Sequence, residues 1–527
     1  MRPGILNIYA VADFFLLMYI LCIPYCKESN GMYVHRDLLL HSEFKGCRSI
    51  LNDAECFKGA GKGCINASLH AEAPRLLQID DNSESRSDRT TYPESFVPSR
   101  YNHFFEYAGK HLAINLLTNA VLSLDGDQYR LVRRILDFPM NQSPSQSMLS
   151  RLLVESKFLV PHGFDERAYL ARLFETSKAG KKGLSLAFVI TLTCNFRCPY
   201  CYQDHTEVRM ERDVQDAVLA FLKRKLRGKE EFHAAWWGGE PLLEPQIIDS
   251  FGSEIIQLCE SLDVQYDASI TTNGYLLNED NVRLLAKGRV KHVQVTLDGP
   301  REFHDKRRYL TNGHGSYDTI LQNLYGLVQA LPGVEVTIRC NIGRGAVKAE
   351  QWRQLLTDLA PVKSSISMAL AQVAPARSFN RLCVSNEEFH AFCGDLTKMI
   401  QEQGFRITYG RKTPGAVFCG AIPVENWMVH PRGYLSKCTA DVSTADGCLG
   451  RLNPSGTIDL NSDSTEWIDF SPFSLEKCTE CDVLPLCMGG CPKISFDGPL
   501  LDRCRVKRDL FPFVMDFLTQ RMRESDL

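Results

Sequence analysis

The sequence predicts an α/β protein: a partial (β/α)6 TIM-type barrel, preceded by a small N-terminal α+β unit and followed by a cysteine-rich C-terminal region. Three observations lead there. Between Leu184 and Val373 short apolar runs alternate with amphipathic helical patterns, the order that builds a parallel sheet. Glycine-containing or cysteine-containing polar motifs directly follow the first four of those runs, and barrels of this kind place their sites at the C-terminal ends of the strands. Most of the cysteines after residue 190 fall into groups with cluster-like spacing.

The chain has 527 residues, enough for two to four domains, and 44% hydrophobic residues, enough for real cores. A net charge of −3 and a pI near 6.5 give no general signal for binding polyanions, so nucleic acid is not an expected partner. Twenty cysteines in so long a chain, grouped as they are, indicate a reducing compartment rather than a disulfide framework. A cytoplasmic location is the expectation.

Residues 1–95 form an atypical leader. Ile5 to Tyr25 is apolar and about long enough to span a bilayer, with Asp13 inside it and Arg2 ahead of it. It reads as a signal, an anchor or a mis-called upstream extension; disorder or extension is preferred, because residues 26–95 show no sustained period. Any membrane association would run through this segment. The scattered Cys26, Cys47, Cys56 and Cys64 belong to it.

Residues 96–180 are expected to be the α+β unit. Asn102 to Tyr107 and His111 to Leu124 alternate as strands around a turn at Gly109, helical patterns cover Gln128 to Leu136 and Ser145 to Glu155, a short strand lies at Leu159 and Val160, and a third helix runs from Phe164 to Glu175. The unit resembles the winged-helix peptide-recognition elements of enzymes that modify ribosomally made peptides, and reads equally as a packing cap for the barrel.

The barrel is assigned to residues 181–375. Its strands are Leu186 to Thr191, Phe232 to Trp237, Tyr266 to Thr271, His292 to Leu297, Val334 to Ile342 and Ile366 to Val373. Its helices are Asp213 to Leu226, Pro245 to Leu262, Asn278 to Ala286, Tyr317 to Ala330 and Glu350 to Leu359.

The first strand ends in Cys194, Cys198 and Cys201, a CxxxCxxC triplet. Three thiolates hold three irons of a cubane and leave the fourth open to a small molecule. Structural zinc usually takes four ligands, and His205 falls outside the usual spacing. With Tyr200 just before the last cysteine, the triplet resembles the signature of the radical S-adenosylmethionine (SAM) superfamily. The resemblance implies a [4Fe–4S] cluster whose open iron takes the amino and carboxylate groups of S-adenosylmethionine, and a 5′-deoxyadenosyl radical on one-electron reduction.

The same resemblance distributes the cofactor contacts. Gly238, Gly239 and Glu240 end the second strand; the glycines allow close backbone approach, and the acid would neutralise the methionyl ammonium. Thr272 and Asn273 end the third strand, Thr296 and Asp298 the fourth, and all four are expected on the ribose side. Arg308, in the segment from His304 to Tyr317, is expected to meet a carboxylate or shape the substrate mouth, a role its neighbour Arg307 could fill equally well. Asp204, His205 and Glu207 read as surface or capping residues, and His233, His292 and His304 lack metal-ligand spacing.

Residues 376–527 hold the second set of cysteines. Cys419 is followed by Gly433 and Cys438, with a hairpin over Trp427 to Lys437; then come Cys478, Cys481, Cys487, Cys491 and Cys504. The arrangement resembles the SPASM domain, which carries two auxiliary [4Fe–4S] clusters. By that resemblance Cys419, Cys438 and Cys491 hold one cluster and Cys478, Cys481, Cys487 and Cys504 the other. Cys504 follows Cys491 sooner than is usual in the family. Cys448 is a candidate fourth ligand for the first cluster or a packed turn residue, and zinc competes with iron for the CxxC pair. Cys259, Cys340, Cys383 and Cys393 read as small buried apolar residues.

Together these resemblances imply a maturase that oxidatively modifies or cross-links a ribosomally made peptide, with a precursor peptide or protein as substrate and flavodoxin or ferredoxin as electron donor. An anaerobic sulfatase maturase forming formylglycine is the alternative within the class. A non-catalytic iron–sulfur carrier or redox sensor is the alternative outside it.

Overall fold

The computed structural model describes residues 95–107, 110–137, 148–180, 182–345, 348–373, 382–408, 415, 417, 419–441 and 447–493. The leader through residue 94 and Cys504 lie outside the described residues. Among those described, no helix is long and apolar enough to cross a membrane. The chain divides into two compact units, one ending at Leu173 and one beginning at Phe174.

In the first unit β1 (Phe96–Pro98) pairs with β5 (Leu159–Pro161), and β2 (Asn102–Tyr107), β3 (Lys110–Asn115) and β4 (Ala120–Leu124) form an antiparallel meander. Helices α1 (Gly126–Asp137) and α2 (Met148–Glu155) complete it, and α3 (Glu166–Ala179) leads out of it. Phe96, Ala113, Leu122, Val132, Leu153 and Phe158 make its core. The expected single strand from His111 to Leu124 is two strands. Asn115 breaks it: its buried amide oxygen accepts from the Leu117 amide at 3.0 Å, and Asn119 takes the left-handed conformation that asparagine tolerates (φ 58°).

The second unit is built on a parallel sheet. Strands β6 (Gly183–Thr191), β7 (Glu231–Gly238), β8 (Gln265–Thr272), β9 (Val290–Thr296), β10 (Glu335–Ile342), β11 (Ile366–Gln372) and β12 (Arg406–Ile407) lie side by side in sequence order, all parallel. The connecting helices are α4 (Arg212–Lys225), α5 (Pro245–Ser261), α6 (Glu279–Lys287), α7 (Arg301–Arg307), α8 (Tyr317–Ala330), α9 (Arg353–Leu359) and α10 (Asn386–Glu402). On β7 Phe232, Ala234 and Trp236 are buried on one face, Trp236 against Phe188 and Phe251, while His233, Ala235 and Trp237 are half-buried on the other.

Each of the six expected strands is present. Helices α7 and α10 and strand β12 were not expected, although α10 carries a readable signal: Ser385 and Glu388 form a reciprocal capping box at its start. The hairpin of β13 (Trp427–Val429) and β14 (Tyr434–Ser436) forms where its pattern predicts. It is also part of the main sheet, because β13 pairs parallel to β6; β15 (Gly450–Leu452) and β16 (Ile458–Leu460) extend that edge to eleven strands among the described residues. Three short helices follow, α11 (Ser464–Asp469), α12 (Glu476–Thr479) and α13 (Leu484–Cys487).

Candidate active site

The cysteine triplet occupies the loop that leaves β6, and neighbouring strand ends pin that loop from several sides. The Arg197 amide donates to the Tyr309 carbonyl at 3.0 Å and the Thr311 amide to the Asn195 carbonyl at 2.9 Å. The Asn273 side-chain amide donates to the Asn195 side-chain oxygen at 2.7 Å, joining the end of β8 to the loop. Local turns complete it: the Cys201 amide donates to the Cys198 carbonyl at 3.0 Å, and the Phe196 amide to the Cys194 sulfur at 3.4 Å.

The close approach made by Gly238 and Gly239 is to the protein's own chain. A Cβ on Gly238 would stand 2.3 Å from the Thr191 carbonyl oxygen, and one on Gly239 would stand 2.2 Å from that of Thr193. Those contacts hold the Gly239 and Glu240 amides at 2.9 Å from the same two carbonyls, immediately before Cys194. Glu240 is fully buried. Its Oε1 accepts from Thr272 Oγ1 at 2.8 Å and the Leu242 amide at 3.0 Å, and its Oε2 accepts from the Asn273 amide at 2.7 Å. Burial pushes its pKa up against the pull of these donors and of Arg308.

Asp298, fully buried beyond the end of β9, faces Tyr200. One carboxylate oxygen accepts from the Tyr200 hydroxyl and the other from the Asn341 amide at 2.9 Å and its side chain at 3.1 Å. Arg308 Nη1 donates to the same Tyr200 hydroxyl at 2.7 Å. Burial works against the Arg308 charge, but Tyr200, Cys198 and Asp298 hold its pKa above the ordinary arginine value. Thr296 is buried at the end of β9.

His304 fixes the turn that brings these groups together. It is fully buried, its Nδ1 accepts from the Asp298 amide at 3.2 Å, and its Nε2 lies 3.1 Å from Ser316 Oγ, which donates to the Arg308 carbonyl. Burial, then Arg308 and Arg307, hold its pKa well below the ordinary histidine value, so the ring is neutral.

The three thiols share one electrostatic environment. Burial pushes Cys194 up to about 12, with Glu240 and Cys198 adding to it; burial likewise lifts Cys198 to about 11 and raises Cys201, and Arg308 opposes the shift at all three. Three soft donors on one pinned loop suit a cluster, which deprotonates them on binding. Among the described residues no three His, Cys, Asp or Glu side chains close on one point as ligands of a single ion do. Cluster thiolates surround a volume, each on its own iron.

Residues 188–355 match the family model of the radical SAM superfamily. The chain carries a radical SAM domain and is an enzyme of that kind. Such domains use S-adenosylmethionine and a [4Fe–4S] cluster, and the pinned thiol triplet fits that requirement. A serine-type anaerobic sulfatase-maturating enzyme of Klebsiella aerogenes is 24% identical over 327 residues, which span 57% of this chain and 77% of that protein. A GTP 3′,8-cyclase of Microcystis aeruginosa is 33% identical over 112 residues, 20% of this chain and 31% of that protein. The solved structure of native anSMEcpe with bound AdoMet superposes with a TM-score of 0.51 at 17% identity, covering 64% of this chain and 99% of that one, and so shares the radical SAM fold.

The second group of cysteines is brought together in part. Cys438 is pushed up to about 11 by burial first, with Asp441, Cys419 and Cys491 adding to it, and Cys419 is raised by burial and by Cys491. These three thiols, drawn from positions 419 to 491, are thus neighbours. Asp441 and Lys493 pair at 2.9 Å, tying the loop after Cys438 to the one after Cys491. Lys437 is buried, its Nζ donates to the carbonyls of Pro423, Val424 and Asn426 at 2.7, 2.7 and 2.8 Å, and it stands 4.1 Å from the centre of the Trp427 ring. Cys478 and Cys487 lie in α12 and α13, and the Cys481 amide donates to the Cys478 carbonyl at 3.1 Å. The Cys448 carbonyl accepts from Asn461 Nδ2 at 2.8 Å.

Cys259, Cys340 and Cys383 are buried, and Cys393 is half-buried. His233 lies across the half-buried face of β7 and β8, 2.5 Å from Asp267 and 2.9 Å from Ser269 Oγ. The sequence reading missed Asn195, Asn341 and the positioning role of His304. For Asn195 a signal existed, a polar residue inside the triplet. For Asn341 there was none, since its partner Asp298 is 43 residues away.

Proposed function

We propose that this protein is a radical SAM maturase that oxidatively modifies a side chain of a ribosomally made peptide or protein, by hydrogen abstraction followed by loss of an electron and a proton. The network that joins the triplet loop to Glu240, Asn273, Asp298 and Arg308 carries the reading. It brings a cluster-binding loop, a buried acid and a buried cation to the C-terminal ends of neighbouring strands.

When bound, the cluster at Cys194, Cys198 and Cys201 passes one electron to S-adenosylmethionine, whose cleavage supplies the hydrogen-abstracting radical. Glu240, set by Thr272 and Asn273, keeps one unshared acceptor position on Oε2 for the methionyl ammonium. Gly238 and Gly239 hold it against the loop. Thr296 and Asp298 lie on the ribose side, and Arg308 offers positive charge to the methionyl carboxylate. The neighbouring thiols of Cys419, Cys438 and Cys491 are a site for an auxiliary [4Fe–4S] cluster, and Cys478, Cys481, Cys487 and Cys504 for a second; such clusters take up the electron released by the substrate radical. Flavodoxin or ferredoxin supplies the starting electron.

The sulfatase-maturating relative supports a second product: an aldehyde, formed from a Ser or Cys side chain. Both outcomes are separated by one experiment. Cluster-loaded, reduced protein should form 5′-deoxyadenosine, and a co-expressed short peptide encoded beside the gene should lose the mass of two hydrogens. A product that also reacts with an aldehyde-specific hydrazide is formylglycine, and one that does not is a cross-link. No 5′-deoxyadenosine with or without peptide would leave the catalytic reading without support.

A further inference from the structure

Arg307 and Arg308 are adjacent, both buried, and differently served. Arg308 has the Tyr200 hydroxyl; Arg307, 5% exposed at the end of α7, has no hydrogen-bond partner at Nε, Nη1 or Nη2. Its guanidinium carbon stands 4.9 Å from the ring centres of both Tyr200 and Phe303, so aromatic rings flank the group. The nitrogens lie against Gly343, just past β10, where a Cβ would stand 2.7 Å from Nη2 and 3.2 Å from Nη1. The bare glycine leaves that N–H edge room.

A buried guanidinium with every N–H unmet is unfavourable, and aromatic contact offsets only part of that. Its planar fork matches a carboxylate through two parallel hydrogen bonds. Its position separates it from the cofactor contacts. Arg308 acts on Cys194, Cys201 and Glu240, whereas Arg307 acts on Cys198 and His304 and lies toward β10.

We propose that Arg307 is the receptor for a carboxylate on the substrate, either an Asp or Glu side chain or the C-terminus of the peptide. This rests on the peptide-modifying reading above, and names a chemical requirement of the substrate: an acidic group close to the carbon that loses hydrogen. Arg307 is then half of a site whose other half arrives with the peptide.

The test is thermal melting of full-length, cluster-loaded protein under anaerobic conditions with saturating S-adenosylmethionine. The probe is propionate, with propionamide and sodium chloride at matched concentration as controls. Propionate should raise the wild-type midpoint by about 2 °C or more. Arg307→Met should abolish the rise, Arg307→Lys should at least halve it, and Arg307→Met should melt no lower than wild type without propionate, because it removes an uncompensated buried charge. An equal rise with propionamide, or an undiminished rise in both variants, overturns the proposal. So does a propionate response seen only without S-adenosylmethionine, since the cofactor's own carboxylate would then be the ligand. An Arg307→Met protein that melts far below wild type while Arg307→Lys keeps the full response makes the residue structural, and also overturns it. 5′-Deoxyadenosine formation on the same samples reports separately on the catalytic reading.

Discussion

The two groups of cysteines are assembled in opposite ways. The front triplet spans eight residues of one loop, and the protein spends its long-range hydrogen bonds on bringing other strand ends to that loop. The rear trio joins positions 419, 438 and 491, so there the long-range contacts bring the thiols themselves together. In front, precision comes from side chains locked against a preformed parallel sheet. Behind, it comes from how a hairpin and two loops are hung on that sheet's edge. A substitution in front should therefore disturb catalysis before stability, and one behind should disturb assembly first.

Gly239→Ala is the strongest way to break the front half. Its methyl would meet the Thr193 carbonyl, a backbone atom that can move only by carrying Cys194 with it. A displacement of that size should lower 5′-deoxyadenosine formation on the order of 100-fold, while the melting point of the sheet changes little. The rear counterpart is Lys437→Met. Three carbonyls that now share one buried amine would lose it. We expect about 3 kcal/mol of lost stability by denaturant titration, together with iron lost from the rear sites and 5′-deoxyadenosine formation retained.

Tyr200→Phe sharpens the comparison by removing one hydroxyl shared by Asp298 and Arg308. The ring stays against Arg307, so the fold should survive while 5′-deoxyadenosine formation falls about tenfold. Equal losses of stability for Tyr200→Phe and Lys437→Met would erase the distinction between the two regions.

The smallest effect is in pH. His430, in the rear hairpin, is held down from 6.5 to about 4 by burial and then by Arg432, and His304 in front is held well below its ordinary value by burial and the two arginines. The unfolded chain takes up these protons first, so the stability present above pH 6.5 is lost as pH falls. His430→Gln should flatten the denaturation midpoint between pH 6.5 and about 4, whereas His304→Gln should change the slope further into acid.

Much of the front was legible because its chemistry is local. The period of apolar residues located all six expected strands, and the motifs follow their ends. What the sequence reading missed there depends on distance. The glycines of Gly238-Gly239 were read as facing a ligand, yet what they face is Thr191 and Thr193, a pairing set by the register of β6 against β7. The difference between Arg307 and Arg308 is likewise invisible in a run of two identical letters. It arises because successive residues at a helix end project differently, one toward Tyr200's hydroxyl and one toward its ring. Behind, cysteine spacing alone grouped Cys419, Cys438 and Cys491, because the family pattern encodes the interleaving. It did not show that the hairpin between them completes the barrel sheet, since three-residue strands carry too little periodicity to name a partner.

The central claim is a division of labour, with the front triplet making the radical and the rear thiols taking up the electron. The direct measurement compares Cys194→Ala/Cys198→Ala/Cys201→Ala with Cys419→Ala/Cys438→Ala/Cys491→Ala, quantifying 5′-deoxyadenosine, iron and peptide product from reduced, reconstituted protein. The account predicts no 5′-deoxyadenosine from the first protein. It predicts continued 5′-deoxyadenosine without modified peptide from the second. Radical formation that survives loss of the front triplet, or full peptide modification without the rear trio, would contradict it.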